Sequence, residues 1–229
     1  MRNIAVFNSF SCSHLFFGLL AAALTVTLAA CGSKPVQPDW KANAASSLKA
    51  FSNAYLKGET ANAQAEFARA RLEMASTGRP DLVAHAELHR CATRVASIEY
   101  DDCPGFQAVA QDATAAEHAY ARYLSGRWEG LDAALLPEQH RPVVQGKAAL
   151  GAITDPLARL VAAGVLMRAE RITPGDIAAA TQAASEQGWR RPLLMWLGVS
   201  HKRAQAAGDT VEAARIQRRI DLAAKSGGG

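Results

Sequence analysis

The chain is predicted to be all-α, a bundle or array of antiparallel helical hairpins. Three observations predict it. Alanine, the strongest helix former, recurs throughout the sequence. Apolar side chains return at spacings of three and four, the period of a helix face, and β-branched residues nowhere alternate as a half-buried strand requires. Glycines and prolines stand between these segments, where helices stop and start.

The first helix is expected over residues 39–57, with Trp40, Ala44, Leu48, Phe51 and Tyr55 on one face and Gly58 as its stop. The second runs to Ser76 on a stripe of Ala63, Phe67, Ala70 and Met74, and Thr77-Gly78-Arg79-Pro80 breaks it. The third starts at Pro80 and buries Leu88, Cys91, Val95 and Ile98. A fourth is expected from Gly105 to Leu124, carrying Phe106, Val109, Ala113, Ala116 and Tyr120, with Gly126 as its end. A short fifth is expected over Trp128 to Leu136, closed by Pro137. Asp155 to Glu170 follows with Pro156 at its first turn. Thr173-Pro174-Gly175-Asp176 then offers a hydroxyl cap, a proline and a first-turn acid. Gly188, Arg191-Pro192, Gly208 and Asp209 delimit the last helices. Residues 39–225 thus form one helical domain, long enough for a well-filled core. The stretch 140–147, with Pro142 and Gly146, is its least regular part and the candidate boundary between two subdomains. Residues 226–229 are a glycine-rich tail.

Two of the hairpins resemble the tetratricopeptide repeat. Gly58-Glu59 is followed by Ala63, Phe67 and Ala70, the small-aromatic-small spacing of that repeat's second helix. Gly208-Asp209 is followed by Glu212-Ala213, but Gln217 and Ile220 replace the later aromatic and alanine. Tyr55-Leu56-Lys57-Gly58 and Tyr123-Leu124-Ser125-Gly126 echo each other two periods apart. The usual first-helix tryptophan, leucine-glycine and tyrosine are missing. Tetratricopeptide-like stacking and another helical bundle both fit.

Ahead of the domain, Arg2 is the only charged residue before an apolar run from Leu15 to Ala30. That run covers roughly 16 residues, short of the ~20 that span a bilayer, and fits a secretory signal. It closes on Leu28-Ala29-Ala30-Cys31, which resembles the lipobox of bacterial lipoproteins. The resemblance implies that residues 1–30 are a removed signal peptide and that Cys31 is acylated and tethers the domain through residues 31–38. It also implies that the domain lies in the periplasm; Gly32, where an aspartate would retain such proteins in the inner membrane, favours the outer membrane.

In that setting Cys12 leaves with the signal and Cys31 is consumed by lipid. Cys91 and Cys103 remain as a pair in an oxidising compartment, where a disulfide is the default. The bridge requires the helix holding Cys91 to end near Ile98 and the chain from Glu99 to Pro104 to fold back.

Charge excludes little but points away from nucleic acid. Without Arg2, the other 24 of the 25 basic residues face 21 acidic ones, a mild and dispersed excess. Asp81, His85 and His89 share one helix face at spacings of four, and two histidines so placed can share a metal. No fourth ligand accompanies them, and a solvated face with Asp81 at the helix dipole accounts for them equally; no metal or cofactor is expected. Glu59, Glu66 and Glu73 recur every seven residues, as a solvent face does. No G-x-S-x-G or glycine-rich phosphate loop occurs after Cys31. Trp189, Arg190, Arg191 and Trp196 pair aromatic with basic side chains, the composition of an interface anchor, though the tryptophans fit a core as well. The expected function is a membrane-anchored periplasmic interaction or assembly factor of the cell envelope, with an envelope protein as partner. In general plan it resembles helical outer-membrane lipoproteins that act in assembly or as secretion pilots. The alternatives are a cell-wall-active enzyme and a metal- or small-ligand-binding lipoprotein.

Overall fold

Alanine-rich stripes and glycine stops translate into helices almost wherever they occur. The computed structural model describes residues 38–147 and 150–225; the signal segment, Cys31, most of the tether and the tail 226–229 lie outside them. The helices are α1 (Asp39–Lys57), α2 (Thr60–Ala75), α3 (Pro80–Val95), α4 (Pro104–Gln107), α5 (Ala115–Leu124), α6 (Arg141–Val144), α7 (Pro156–Arg168), α8 (Pro174–Glu186), α9 (Arg190–Ala206) and α10 (Thr210–Lys225). Single 3-10 turns stand at Ala110–Asp112, Ala133–Leu135, Glu138–His140 and Leu150–Ala152. Among the described residues there is no strand.

The hairpins α1–α2 and α9–α10 close with the same turn. Gly58 takes φ 91° and donates to Tyr55 O, while Glu59 donates to Ala54 O. Gly208 takes φ 72° and donates to Gln205 O, while Asp209 donates to Ala204 O. This is the Schellman pattern, in which two otherwise orphaned carbonyls are satisfied by a left-handed residue and its successor. The same pattern ends α3, with Ile98 at φ 58° donating to Val95 O and Glu99 to Arg94 O. A branched residue costs free energy in that conformation. Here the chain must reverse at once, because Cys103 returns to form a disulfide with Cys91, their Cα atoms 5.5 Å apart.

Two expected helices are corrected. The segment from Gly105 to Leu124 is not one helix. Thr114 starts a new one: its hydroxyl accepts from Glu117 N, and the Glu117 carboxylate accepts from Thr114 N, a capping box. The segment from Trp128 to Leu136 is turn and 3-10 helix. Asp132 holds Ala134 N with its side chain, and Leu136 is extended ahead of Pro137, which disfavours helical backbone before it.

The main core gathers Leu56, Leu88, Val95, Tyr123, Leu124, Leu150, Leu160, Val161, Val165, Ala180 and Trp196. Residues on both sides of 140–147 therefore share one apolar cluster. A second cluster, Leu48, Phe51, Ala63, Phe67 and Met74, fills the space between α1 and α2. A third, Leu197, Ala204, Ala213 and Ile216, joins α9 to α10.

Two polar contacts set how closely the helices approach α3. The Trp196 indole donates to Ala96 O at 3.2 Å, satisfying a carbonyl past the end of that helix. Glu87, 5% exposed, is held between Arg71 at 3.0 Å and Arg90 at 2.8 Å. Trp196→Phe orphans the Ala96 carbonyl and leaves part of the indole volume empty. It should cost about 1–3 kcal/mol in urea unfolding, the range for a buried group left without its partner; an unchanged midpoint would show that the indole bond carries no stability.

Candidate functional site

The polar face of α3 predicted from Asp81, His85 and His89 runs between two clefts. Both clefts are lined by His85 and His89. The first, about 560 Å³, is walled by α3, by Ala116, Glu117 and Tyr120 of α5, and by the irregular stretch Ala134 to Arg141. The second, about 900 Å³, runs along Leu48, Lys49, Ser52 and Asn53 of α1 to Asp155, Leu157, Gln187 and Trp189.

The three predicted residues play different parts. Asp81 forms an ion pair with Arg79 at the start of α3. His85 is exposed. His89 is half-buried; its Nε2 meets the Ser52 hydroxyl at 2.7 Å, and its ring lies 6.2 Å from that of Phe51. Burial, helped by the neighbouring His85, lowers the His89 pKa from 6.5 to about 4. It is therefore neutral at pH 7. Among the described residues, Asp81, His85 and His89 do not bring three ligand atoms within 4.8 Å of one another. Cys91, Asp101 and Cys103 do, but the sulfurs are bonded to each other, and Asp101 accepts from Cys103 N at 3.0 Å and pairs with Arg94.

The four members of the tryptophan–arginine group take different places in the structure. Trp196 is 0% exposed and belongs to the core. Arg191 is spent on packing: it donates to Tyr55 O at 2.8 Å, pairs with Glu99 at 3.1 Å, donates to Thr60 Oγ1 at 2.8 Å, and lies 4.2 Å over the Tyr55 ring. Arg190 reaches Lys57 O at the end of α1. Those arginines fasten α9 to the α1–α2 turn, giving Lys57 O a donor and Tyr55 O a second one. Only Trp189 faces a cleft, with its indole donating to Asn53 Oδ1 at 3.4 Å. Glu59 and Glu66 take local partners in Asn62 and Arg69, and Glu73 accepts from Asn43 of α1.

Tyr120, His140 and Arg141 escape sequence reasoning. His140 is 2% exposed, and its Nδ1 lies 3.1 Å from the Tyr123 hydroxyl. Burial lowers its pKa to about 4, against the opposing pull of Asp155. The Tyr120 ring stacks 6.0 Å from Tyr123 and 5.8 Å from His140, and burial raises its hydroxyl pKa. Arg141 Nε donates to Leu136 O at 2.9 Å, so its guanidinium stays at the cleft rim. Nothing periodic joins these residues in sequence; only the fold of the stretch after Pro137 brings them to α5.

Most polar groups of the clefts are thus engaged in structure: His89 with Ser52, Glu117 with its cap, Asp155 with Ala158 N at 2.7 Å. That arrangement shapes surfaces and does not assemble a mobile acid–base pair. No family model, no curated protein and no solved structure matches the chain.

Proposed function

We propose that the protein is a lipid-anchored periplasmic module that binds an envelope protein through the cleft lined by Lys49, Asn53 and Trp189. The address is carried by the Leu28-Ala29-Ala30-Cys31 box. The disulfide between Cys91 and Cys103 supports an oxidising compartment. The binding mode is carried by the cleft itself: about 900 Å³, with an aromatic ring in its lining and two lysines on its α1 wall. An aromatic anchor in a groove with polar margins is the arrangement of interface hot spots.

The anchoring arm has a direct test. Globomycin, which blocks lipoprotein signal cleavage, is expected to accumulate unprocessed chain. Cys31→Ala is expected to move the protein out of the membrane fraction. Continued membrane fractionation of cleaved Cys31→Ala protein would overturn the anchor.

A further inference from the structure

The wall that α1 gives to the larger cleft is cationic. Lys49, Asn53 and Lys57 follow one another at spacings of four, which puts them along one side of the helix. All three are exposed and line the cleft. Asp39, at the start of α1, is the one acid of that helix, and no acid stands three or four residues from either lysine. Neither ammonium group has an ion pair or a hydrogen bond among the described residues. Asp155, the one carboxylate in the lining, caps α7, its Oδ1 accepting from Ala158 N at 2.7 Å. Asn53 adds a donor. Its Oδ1 accepts from the Trp189 indole at 3.4 Å, which leaves its NH2 group for another acceptor. Pro156, Leu157 and the Trp189 ring supply apolar surface in the same lining. Water satisfies exposed ammonium groups until a partner displaces it, and a partner that does so must bring acceptors of opposite charge.

Resting on the partner reading above, we infer that the segment held in this cleft is acidic: a stretch of an envelope protein whose carboxylates meet Lys49 and Lys57 and whose apolar side chain lies against Trp189 and Leu157. Opposite charge across an interface steers encounter and rejects like-charged competitors, while the apolar anchor holds the complex. A cationic segment would meet two ammonium groups and a single carboxylate already engaged by a helix cap. The lysines belong to the lining of a concave site of about 900 Å³. A protruding chain enters such a site, and a flat layer of lipid headgroups does not.

The test uses the anchored protein in phosphatidylcholine nanodiscs and three labelled peptides, each a serine–glycine chain with a central leucine and spaced glutamate, glutamine or lysine residues. The glutamate peptide is expected to bind at least about fivefold more tightly than the glutamine peptide, the factor that two surface ion pairs supply. The lysine peptide is expected to bind more weakly than both. The glutamate preference should shrink as sodium chloride rises from about 50 mM to about 500 mM. Lys49→Gln/Lys57→Gln is expected to abolish it and leave thermal unfolding unchanged, since both side chains are exposed. Lys41→Gln/Lys202→Gln removes the same charge outside the cleft and should leave the preference intact. Equal binding of the glutamate and glutamine peptides, or a preference that survives Lys49→Gln/Lys57→Gln, would overturn the assignment. So would sedimentation of Cys31→Ala protein with phosphatidylglycerol vesicles that the same double variant abolishes, since the lysines would then serve a lipid surface. Photo-crosslinking in cells from Gln187, an uncharged exposed residue of the cleft, separates the acidic assignment from the partner reading. The expected adduct forms in the unaltered protein and is lost in Lys49→Gln/Lys57→Gln. An adduct of undiminished yield in that variant keeps the partner and removes its acidity. No adduct from any cleft position removes the partner, and the acidic segment with it.

Discussion

Gly164→Ala is expected to destabilise the domain by about 3 kcal/mol or more, the upper range for forcing atoms into a packed site. Gly164 sits inside α7, where glycine is otherwise a poor helix residue. A Cβ there would lie 2.2 Å from Val95 O and 2.9 Å from Val95 C, atoms of the α3 backbone that no rotamer change can move aside. The helices would have to separate, and with them the bond from the Tyr100 hydroxyl to Gly164 O at 2.8 Å. Gly198 is the internal control. It lies inside α9 with nothing within 4 Å of its would-be Cβ, so Gly198→Ala should stabilise by about 0.5–1 kcal/mol, the entropy of a helical glycine. Urea denaturation of the two variants decides it. Equal and small effects at both positions would mean that α3 and α7 do not touch backbone to backbone.

The second large effect is acid instability. His89 and His140 have pKa values of about 4 in the folded domain, against 6.5 for the free side chain. Below pH 6.5 the unfolded chain binds protons that the folded chain refuses. Their contribution is therefore complete above pH 6.5 and is lost as pH falls towards 4. At pH 4.5 each group costs about 2–3 kcal/mol, so the pair removes a large part of the stability of an ordinary domain. Unfolding free energies at pH 7.5 and pH 4.5 should differ by several kcal/mol. His89→Gln should remove about half of that difference. A flat profile between pH 7.5 and 4.5 would contradict the burial of both rings.

How far the sequence foretells this protein differs between its parts. The first three helices and the last three follow from stripes such as Leu48, Phe51 and Tyr55, and from stops such as Gly58 and Gly208, since local punctuation decides them. The disulfide between Cys91 and Cys103 agrees with the pairing expected from cysteine count in an oxidising compartment. The middle is harder. Thr114-x-x-Glu117 is a capping box that an unbroken series of apolar residues from Phe106 to Leu124 conceals, because alanines fit any register. Asp132 to Leu136 has helical composition, yet Pro137 and a side-chain cap hold it to one 3-10 turn. The site shows the same division. His85 and His89 are legible as one face of one helix. Tyr120, His140 and Arg141 meet them only through packing, and a burial pattern cannot be read from a stretch without a period. The Trp189 to Trp196 stretch shows why composition alone misplaces an anchor: helix geometry turns Trp196 inward to Ala96 and leaves Trp189 beside Asn53.

The central claim is that an anchored domain holds an envelope partner in the cleft lined by Lys49, Asn53 and Trp189. Photo-crosslinking in living cells tests it most directly, with a benzophenone amino acid placed singly at Lys49, Asn53 and, on the far helix, Arg218. The account predicts one discrete protein adduct from Lys49 and Asn53, none from Arg218, and loss of that adduct when Cys31→Ala releases the domain from the membrane. Adducts formed equally from all three positions, or none from the cleft while Arg218 gives one, would contradict it.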